Sequence, residues 1–354
     1  MRKHLLLLLT AGLLGLVLVP AAAAKTRVVR HGQSIQAAIN AAHPGDTILV
    51  RPGTYRESLQ ISKDRITLRA NGVTLRPPST GNSLCDQMNG GTLTGICIVG
   101  TVLASPAAPP TVQRQVRNVH VTGIKVSGFS SDGVFIFGSN GASLTNVQLL
   151  HNGGYGVFSN TSTRTTYSHD LAQGNGDAGF YIGDSPNARA TIKNDRSLNN
   201  KGQGVLMRDA SNGTVTNVVA KGNCAGMIVL ADAPGPATHW TLRHNTVIKN
   251  NRACAGDPAN GEPPFSGIGI GLSGAANTTV TGNVVTSNRA GHPSFISGGI
   301  LVIKGPGGTA PQHDKVSRNT ARHNTPFDVF WDHTGTATFS HNRCGKSSPS
   351  GLCH

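Results

Sequence analysis

DGVFIF (132–137), YGVFSN (155–160), AGFYIG (178–183), QGVLMR (203–208) and AGMIVL (225–230) are one short pattern written five times. Each copy has a glycine followed by an alternating apolar stretch. The glycines Gly133, Gly156, Gly179, Gly204 and Gly226 follow one another at intervals of 23, 23, 25 and 22 residues. Self-similarity at a fixed period of this size is the mark of a solenoid, in which each repeat buries its apolar side chains against its neighbours.

A second column keeps the same register. Asn152, Asn175, Asn200, Asn223, Asn251, Asn288 and Asn324 each close a short β-prone stretch such as TVTNVVAKGN. Six residues before each stands Asn146, His169, Asn194, Asn217, Asn245, Gly282 or Arg318. Asparagine tolerates left-handed backbone, and its amide can bond to a copy of itself in the next repeat. These residues are therefore read as structural. About 23 residues per repeat accommodates three short strands and three turns, with repeats stacked at the ordinary strand spacing of about 4.8 Å. The reading is all-β: a right-handed parallel β-helix solenoid with an N-terminal capping helix.

Working outward, SIQAAINAA (34–42) puts Ile35, Ala38, Ile39 and Ala42 on one helical face and predicts the plug of the first coil. Residues 78–115 are rich in Gly, Pro and Ser and read as a loop excursion clipped by a disulfide. Regular coils are expected over 117–345, with 344–354 as a C-terminal disulfide cap. Insertions are expected at 252–266, with Asp257 and Glu262, and at 289–297, with His292. Six Cys allow many connectivities, and neighbour pairing is the simplest: Cys85–Cys97, Cys224–Cys254 and Cys344–Cys353. Such pairs suit an oxidising compartment.

The first 24 residues read as a signal peptide. Arg2 and Lys3 precede the apolar run Leu5–Val19, and Ala22-Ala23-Ala24 offers the small residues of a cleavage site. Residues 25–354 then form the mature β-helix, secreted to the extracellular space or the periplasm, with no later membrane span. Of 31 Lys and Arg, removal of Arg2 and Lys3 leaves 29 against 16 acids, a charge of +13. Along the sequence this charge is spread. It points to a polyanionic partner such as an acidic polysaccharide. No nucleic-acid-binding motif is present, aromatics are scarce at 5%, and a monomer is expected.

GDTILVRPGTY and ITLRANG, followed by the repeated Gly units, resemble the opening coils of the pectin-lyase-like superfamily, in particular its bacterial right-handed β-helix repeat proteins. The resemblance covers residues 31 to about 345 and implies the fold. It leaves the activity open, because the group contains lyases, hydrolases, epimerases and non-enzymes. The opening coils also resemble the periplasmic β-helix accessory proteins of nitrous oxide reductase maturation, which implies copper handling. Four Met, one of them the initiator, and six Cys expected in pairs leave few soft ligands for that role.

In the β-helix carbohydrate enzymes, the usual site lies on the outer face of the first sheet. Alternation turns Phe135, Phe158, Tyr181, Leu206 and Ile228 outward here. Phe135, Phe158 and Tyr181 would make a stacking strip for sugar rings, unless an inserted loop covers it. Just past the strand stand Asp184, Asp209 and Asp232, in three successive coils, with Arg208 beside Asp209. A polyuronate lyase resembling the pectate lyases could hold calcium on these three carboxylates and use Arg208 as base. No DPHE motif of the alginate epimerases is present. SSDGVFI resembles the NTDG motif of the polygalacturonases, which implies Asp132 as catalytic acid with Asp177 two coils on. The paired Asp and the Gly-His-Gly of that family are missing. Lys201 and Lys304 lie near the same edges as substrate-binding candidates, with His239. FWDH (330–333) is read as a cap element. The Asp column has a structural alternative, since Asp at a strand-to-turn junction often binds turn amides. The functional readings are a polyanion-binding carbohydrate-active protein with lyase or hydrolase chemistry, or a non-catalytic glycan-binding or cell-surface module.

Overall fold

The computed structural model describes residues 23–81, 83–105, 108–232, 235–256 and 263–354. Residues 1–22 of the expected signal segment, and Asp257 and Glu262 of one insertion, lie outside the described residues. No helix among those described is long and apolar enough to cross a membrane.

The glycine units stack into one parallel sheet of eleven strands. Its central rungs are Val134–Phe137, Val157–Asn160, Phe180–Ser185, Gln203–Ala210 and Ala225–Leu230. The register runs Val134↔Val157, Val157↔Phe180, Phe180↔Val205 and Val205↔Met227. The remaining two sides of each coil join around a corner into a sheet of 21 strands. Val134, Ile136, Val157, Phe180, Ile182, Val205, Met207, Met227 and Val229 fill the bore and are almost fully buried.

The corners explain the composition. In each regular coil three residues, five apart, hold left-handed backbone. Examples are Arg189, Asn194 and Asn199 (φ 46°, 59° and 54°), and Asn212, Asn217 and Gly222 (φ 65°, 54° and 72°). A single left-handed residue turns the strand direction without breaking the ladder to the next coil. Asn and Gly adopt it at least cost. The same corners in later coils carry His239, His244 and Lys249, then His313, Arg318 and His323.

Beside one corner runs a buried amide ladder. Asn152 Nδ2 donates to Asn175 Oδ1 at 3.0 Å, Asn175 to Asn200 at 2.9 Å and Asn200 to Asn223 at 3.0 Å. The next rungs are Asn250, Asn288 and Asn324. Asp328 closes the ladder: its Oδ1 accepts from Asn324 Nδ2, and its Oδ2 from the Gly345 and Lys346 amides. A carboxylate suits this end because it only accepts. The member between Asn223 and Asn288 is thus Asn250, not Asn251, and its corner residue is His244, not Asn245. Two adjacent asparagines hid a one-residue shift. The ladder also accounts for the glycines. A Cβ on Gly156 would stand 2.4 Å from the Gly179 carbonyl and 3.1 Å from Asn175 Nδ2.

A second buried ladder runs five residues earlier. Asn245, Asn283, Asn319 and Asn342 pass bonds of 3.0 to 3.1 Å from coil to coil. In the earlier coils this column holds Asp170 and Asp195. Asp195 Oδ1 accepts from the Asp170 amide at 2.7 Å, and Asp170 Oδ1 from the Val147 amide at 2.7 Å.

The first coil is plugged by the helix Ile35–Ala41, with Ile35 and Ile39 buried and Ser34 as N-cap. Glu57 reaches back to the helix start, where it accepts from Ser34 Oγ (2.7 Å) and the Ile35 and Gln36 amides (2.8 and 2.9 Å). A carboxylate there satisfies free N–H groups and complements the helix dipole. Glu57→Gln turns an N–H₂ toward donors. It is expected to lower stability by about 1 kcal/mol, read as a lower urea midpoint with protection lost first at the N-terminal coils in hydrogen exchange. An unchanged midpoint would remove Glu57 from the cap.

The excursion at 78–115 differs from a plain loop. Ile96–Val99 within it is a rung of the first sheet, paired Ile96↔Val134. Around it sit the helix Leu84–Met88 and an antiparallel hairpin of Thr101–Ser105 with Ala108–Arg114. Cys85–Cys97 joins helix to rung, Cys224–Cys254 ties an insertion to the sheet, and Cys344–Cys353 closes the last coil, at Cα separations of 5.7, 5.4 and 5.3 Å.

Candidate functional site

Strand alternation turns Phe135, Phe158 and Tyr181 to the outer face of the first sheet. They stack coil on coil, with ring centroids 5.0 and 4.7 Å apart. The strip is closed rather than open: Phe135 and Tyr181 are each only 4% exposed. Cys85, Val99 and Phe137 pack at its N-terminal end, together with Leu84, Met88, Val102 and Val112 of the excursion. Farther along, Leu206, Ile228 and Leu301 continue the strip under Phe265 and Ile296. Only Phe158 keeps partial exposure. The insertions cover the strip because an uncovered apolar row of this length would cost hydration free energy along several coils.

The acids past the strand are spoken for. Asp184 Oδ2 accepts from Asn160 Nδ2 at 2.6 Å. Asp209 is buried, accepts from the Asp232 amide at 2.8 Å and has its carboxyl pushed up by burial. Asp232 forms an ion pair with Arg208. Asp184 and Asp209 both hold left-handed backbone (φ 43° and 49°). Their oxygens address different partners, and no group of three or more His, Cys, Asp or Glu is assembled for a metal among the described residues. As they stand, these three acids are engaged with separate partners, and Arg208 is paired with Asp232. Lys304 is exposed, and its amide donates to Asp332 Oδ2 at 2.7 Å. Lys201 is exposed beside Cys254. His239 is a corner residue (φ 58°).

The opposite edge of the sheet gathers Asp132, Tyr155 and Asp177. Asp132 is buried. Its Oδ1 accepts from the Tyr155 amide at 2.8 Å, and its Oδ2 from Asn89 Nδ2 at 3.1 Å. Burial pushes its carboxyl up to about 6, against those two hydrogen bonds, and the charge of Asp177 adds to the rise. Tyr155, one coil on, has its hydroxyl bonded to Asp177 and its phenol pushed far up by burial, so it stays protonated. Its ring leans on both Phe158 and Tyr181 at 5.1 Å. Asp177 also accepts from the Ala178 amide at 2.8 Å. Sequence reading passed over Tyr155 and Asn89. Tyr155 was visible, since it occupies the Asp132 position of the next coil. Asn89 was not, because it reaches the edge from the excursion.

Fold and edge together define a right-handed parallel β-helix with polar residues along both borders of its first sheet. Residues 132–312, just over half of the chain, match the family described as right handed beta helix region, and the chain belongs to that family. Among solved structures it is similar to the A-module of the mannuronan C-5 epimerase AlgE4 of Azotobacter vinelandii (TM-score 0.60, 16% identity, 89% of this chain and 91% of that one). It is similar too to the catalytic unit of a GH87 α-1,3-glucanase of Streptomyces thermodiastaticus (TM-score 0.61, 15% identity, 94% and 67%). An alginate lyase of a Paenibacillus species also matches (TM-score 0.51, 15% identity, 91% and 97%). At these identities the likeness speaks to the fold. No curated protein matches the chain significantly in sequence.

Proposed function

We propose that this chain is an exported carbohydrate-active protein that binds an acidic polysaccharide and acts on it at the Asp132–Tyr155–Asp177 edge. The observation that supports this is one buried carboxyl raised to about 6, two coils from a second carboxylate, with a protonated phenol between them. A carboxyl raised to about 6 keeps part of its protonated form close to neutral pH, and a second carboxyl group set beside it supplies the pairing that acid–base chemistry uses. Two coil spacings put such carboxyls about 10 Å apart, near the upper end of the range for inverting glycoside hydrolysis. The polyuronate-lyase reading loses support from Arg208 and the Asp184–Asp209–Asp232 row, whose groups are engaged elsewhere. Secretion is supported by the three disulfides. A second reading, a non-catalytic glycan-binding module, is favoured by the closure of the aromatic strip.

The test incubates the purified protein with pectate, alginate and glycosaminoglycans, with and without calcium. New reducing ends without ultraviolet absorbance mean hydrolysis, and absorbance of an unsaturated product means elimination. Asp132→Asn is expected to cut either rate by about a hundredfold, assayed at a temperature where circular dichroism shows the variant folded. No product from any polysaccharide would sink the catalytic reading and leave the binding module.

A further inference from the structure

The charge that is spread along the sequence is sorted in space. On the two sides of the coil away from the glycine sheet, outward positions line up in columns. One runs Lys193, Thr216, Arg243, Thr281 and Ser317. Another runs Arg196, Val219, Thr246, Val284, Thr320 and Arg343. A third carries Lys221 and Arg322, and the corner between them carries His244, Arg318 and His341. The Lys and Arg residues of these columns are all exposed.

No acid offsets them. Across these sides, from residue 190 to 344, the acids of the strands and their corners are Asp195 and Asp314. Both sit at inward positions, 1% and 0% exposed, bonded to backbone amides of the coil before. The ion pairs among the described residues are Arg27–Asp46, Arg114–Asp64 and Arg208–Asp232, and none involves this face. A surface groove of about 440 Å³ opens on the same face, lined by Arg318, Thr320, His341, Arg343 and His354.

We propose that this face, independently of the Asp132 edge, is a docking surface for a linear acidic polysaccharide. Five of six successive coils, at about 4.8 Å per step, present cationic side chains along a run of about 24 Å. That is the shape of an extended chain with a carboxylate on successive sugars. Arg is the main cation, and its fork matches carboxylates. Thr and Ser hydroxyls between the cations supply neutral partners for sugar hydroxyls. The outward columns hold no Phe, Tyr or Trp. Single-stranded nucleic acid, whose bases stack on aromatic platforms, is therefore the poorer fit.

The test measures binding of the full protein to immobilised polygalacturonate and alginate at several salt concentrations. Lys193→Glu, Arg243→Glu, Arg322→Glu and Arg343→Glu together are expected to weaken binding at least tenfold and to flatten its salt dependence. All four residues are exposed, so an unchanged circular dichroism melt is expected. A control with equal charge change elsewhere, Arg30→Glu, Arg51→Glu, Arg56→Glu and Arg289→Glu, is expected to stay within twofold. Equal loss in the control, or no loss in the face variant, overturns the proposal. So does polyuridylate binding more tightly than either polyuronate through the same four residues.

Discussion

Asn200→Leu is expected to lower stability by about 3–5 kcal/mol, the largest loss from any single polar residue of the coils. Asn200 Oδ1 accepts from both the backbone amide and the side-chain amide of Asn175, at 3.0 and 2.9 Å. Its Nδ2 donates to Asn223 Oδ1, Ser197 Oγ and the Ala172 carbonyl. Leucine leaves the Asn175 backbone amide buried with no acceptor, and an orphaned buried donor costs about 1–3 kcal/mol. It also needs room that is absent, since a Cβ on Gly179 would already stand 2.9 Å from Asn200 Nδ2. Asn200→Asp makes the instructive comparison. It keeps the acceptor for Asn175 but sets a carboxylate against Asn223 Oδ1, so it is expected to destabilise at neutral pH and to recover toward acid. Because a solenoid need not unfold in one step, the readout is hydrogen exchange of the coils around 175–223 together with the urea midpoint. A loss below about 1 kcal/mol would mean the ladder is decoration on a fold held by its bore.

That outcome bears on how much of the molecule its sequence displays. The glycine and asparagine columns were readable because each answers to one steric fact, the close approach of consecutive coils at a corner. Where two residues of one type stand together, as at Asn250 and Asn251, the pattern cannot choose. The backbone chooses, through the left-handed residues His244 and Lys249. The second ladder carried its own signal: Asp170, Asp195, Asn245, Asn283 and Asn319 each precede an asparagine of the first ladder by five residues. That signal is masked by Asn146, Asn194 and Asn217, which stand one place earlier on the solvent side of the corner.

The candidate sites were harder for a different reason. Alternation correctly turns Phe135, Phe158 and Tyr181 outward, yet outward from a strand is not exposed when an excursion lies across it. Nothing in the local pattern says where residues 84–112 will settle. The same limit applies to charge. Arg196 and Asp195 are neighbours in sequence, but one faces solvent and the other faces the bore. A net charge of +15 spread along the chain becomes a one-signed face where, over residues 190–344, every acid on two sides of the coil is turned inward. The physical step from pattern to function here is that sorting, and it is a property of the register rather than of any motif.

The inward acids also give the protein a pH dependence of definite sign. Burial pushes the Asp170 carboxyl up to about 7 and Asp195 up to about 8, where the charge of Asp170 adds to the rise. In the unfolded chain both release their protons near the ordinary value of about 3.9. Between about pH 4 and pH 8 the folded state therefore holds more protons than the unfolded one, and stability falls as pH rises through that window. Above about pH 8 the whole penalty is present. Later coils show what removes it, for the same column there carries Asn245, Asn283, Asn319 and Asn342, neutral and bonded coil to coil. Asp170→Asn with Asp195→Asn is expected to flatten the stability profile between pH 5 and pH 9 relative to the parent. At the alkaline end the double variant should gain on the order of 3 kcal/mol, less than the two shifts would sum to because the pair is coupled. Chemical denaturation at a series of pH values measures this directly. A double variant with the parent's slope, or one less stable than the parent at pH 9, would show that these carboxyls are held ionised by their amide partners and that the bore tolerates their charge.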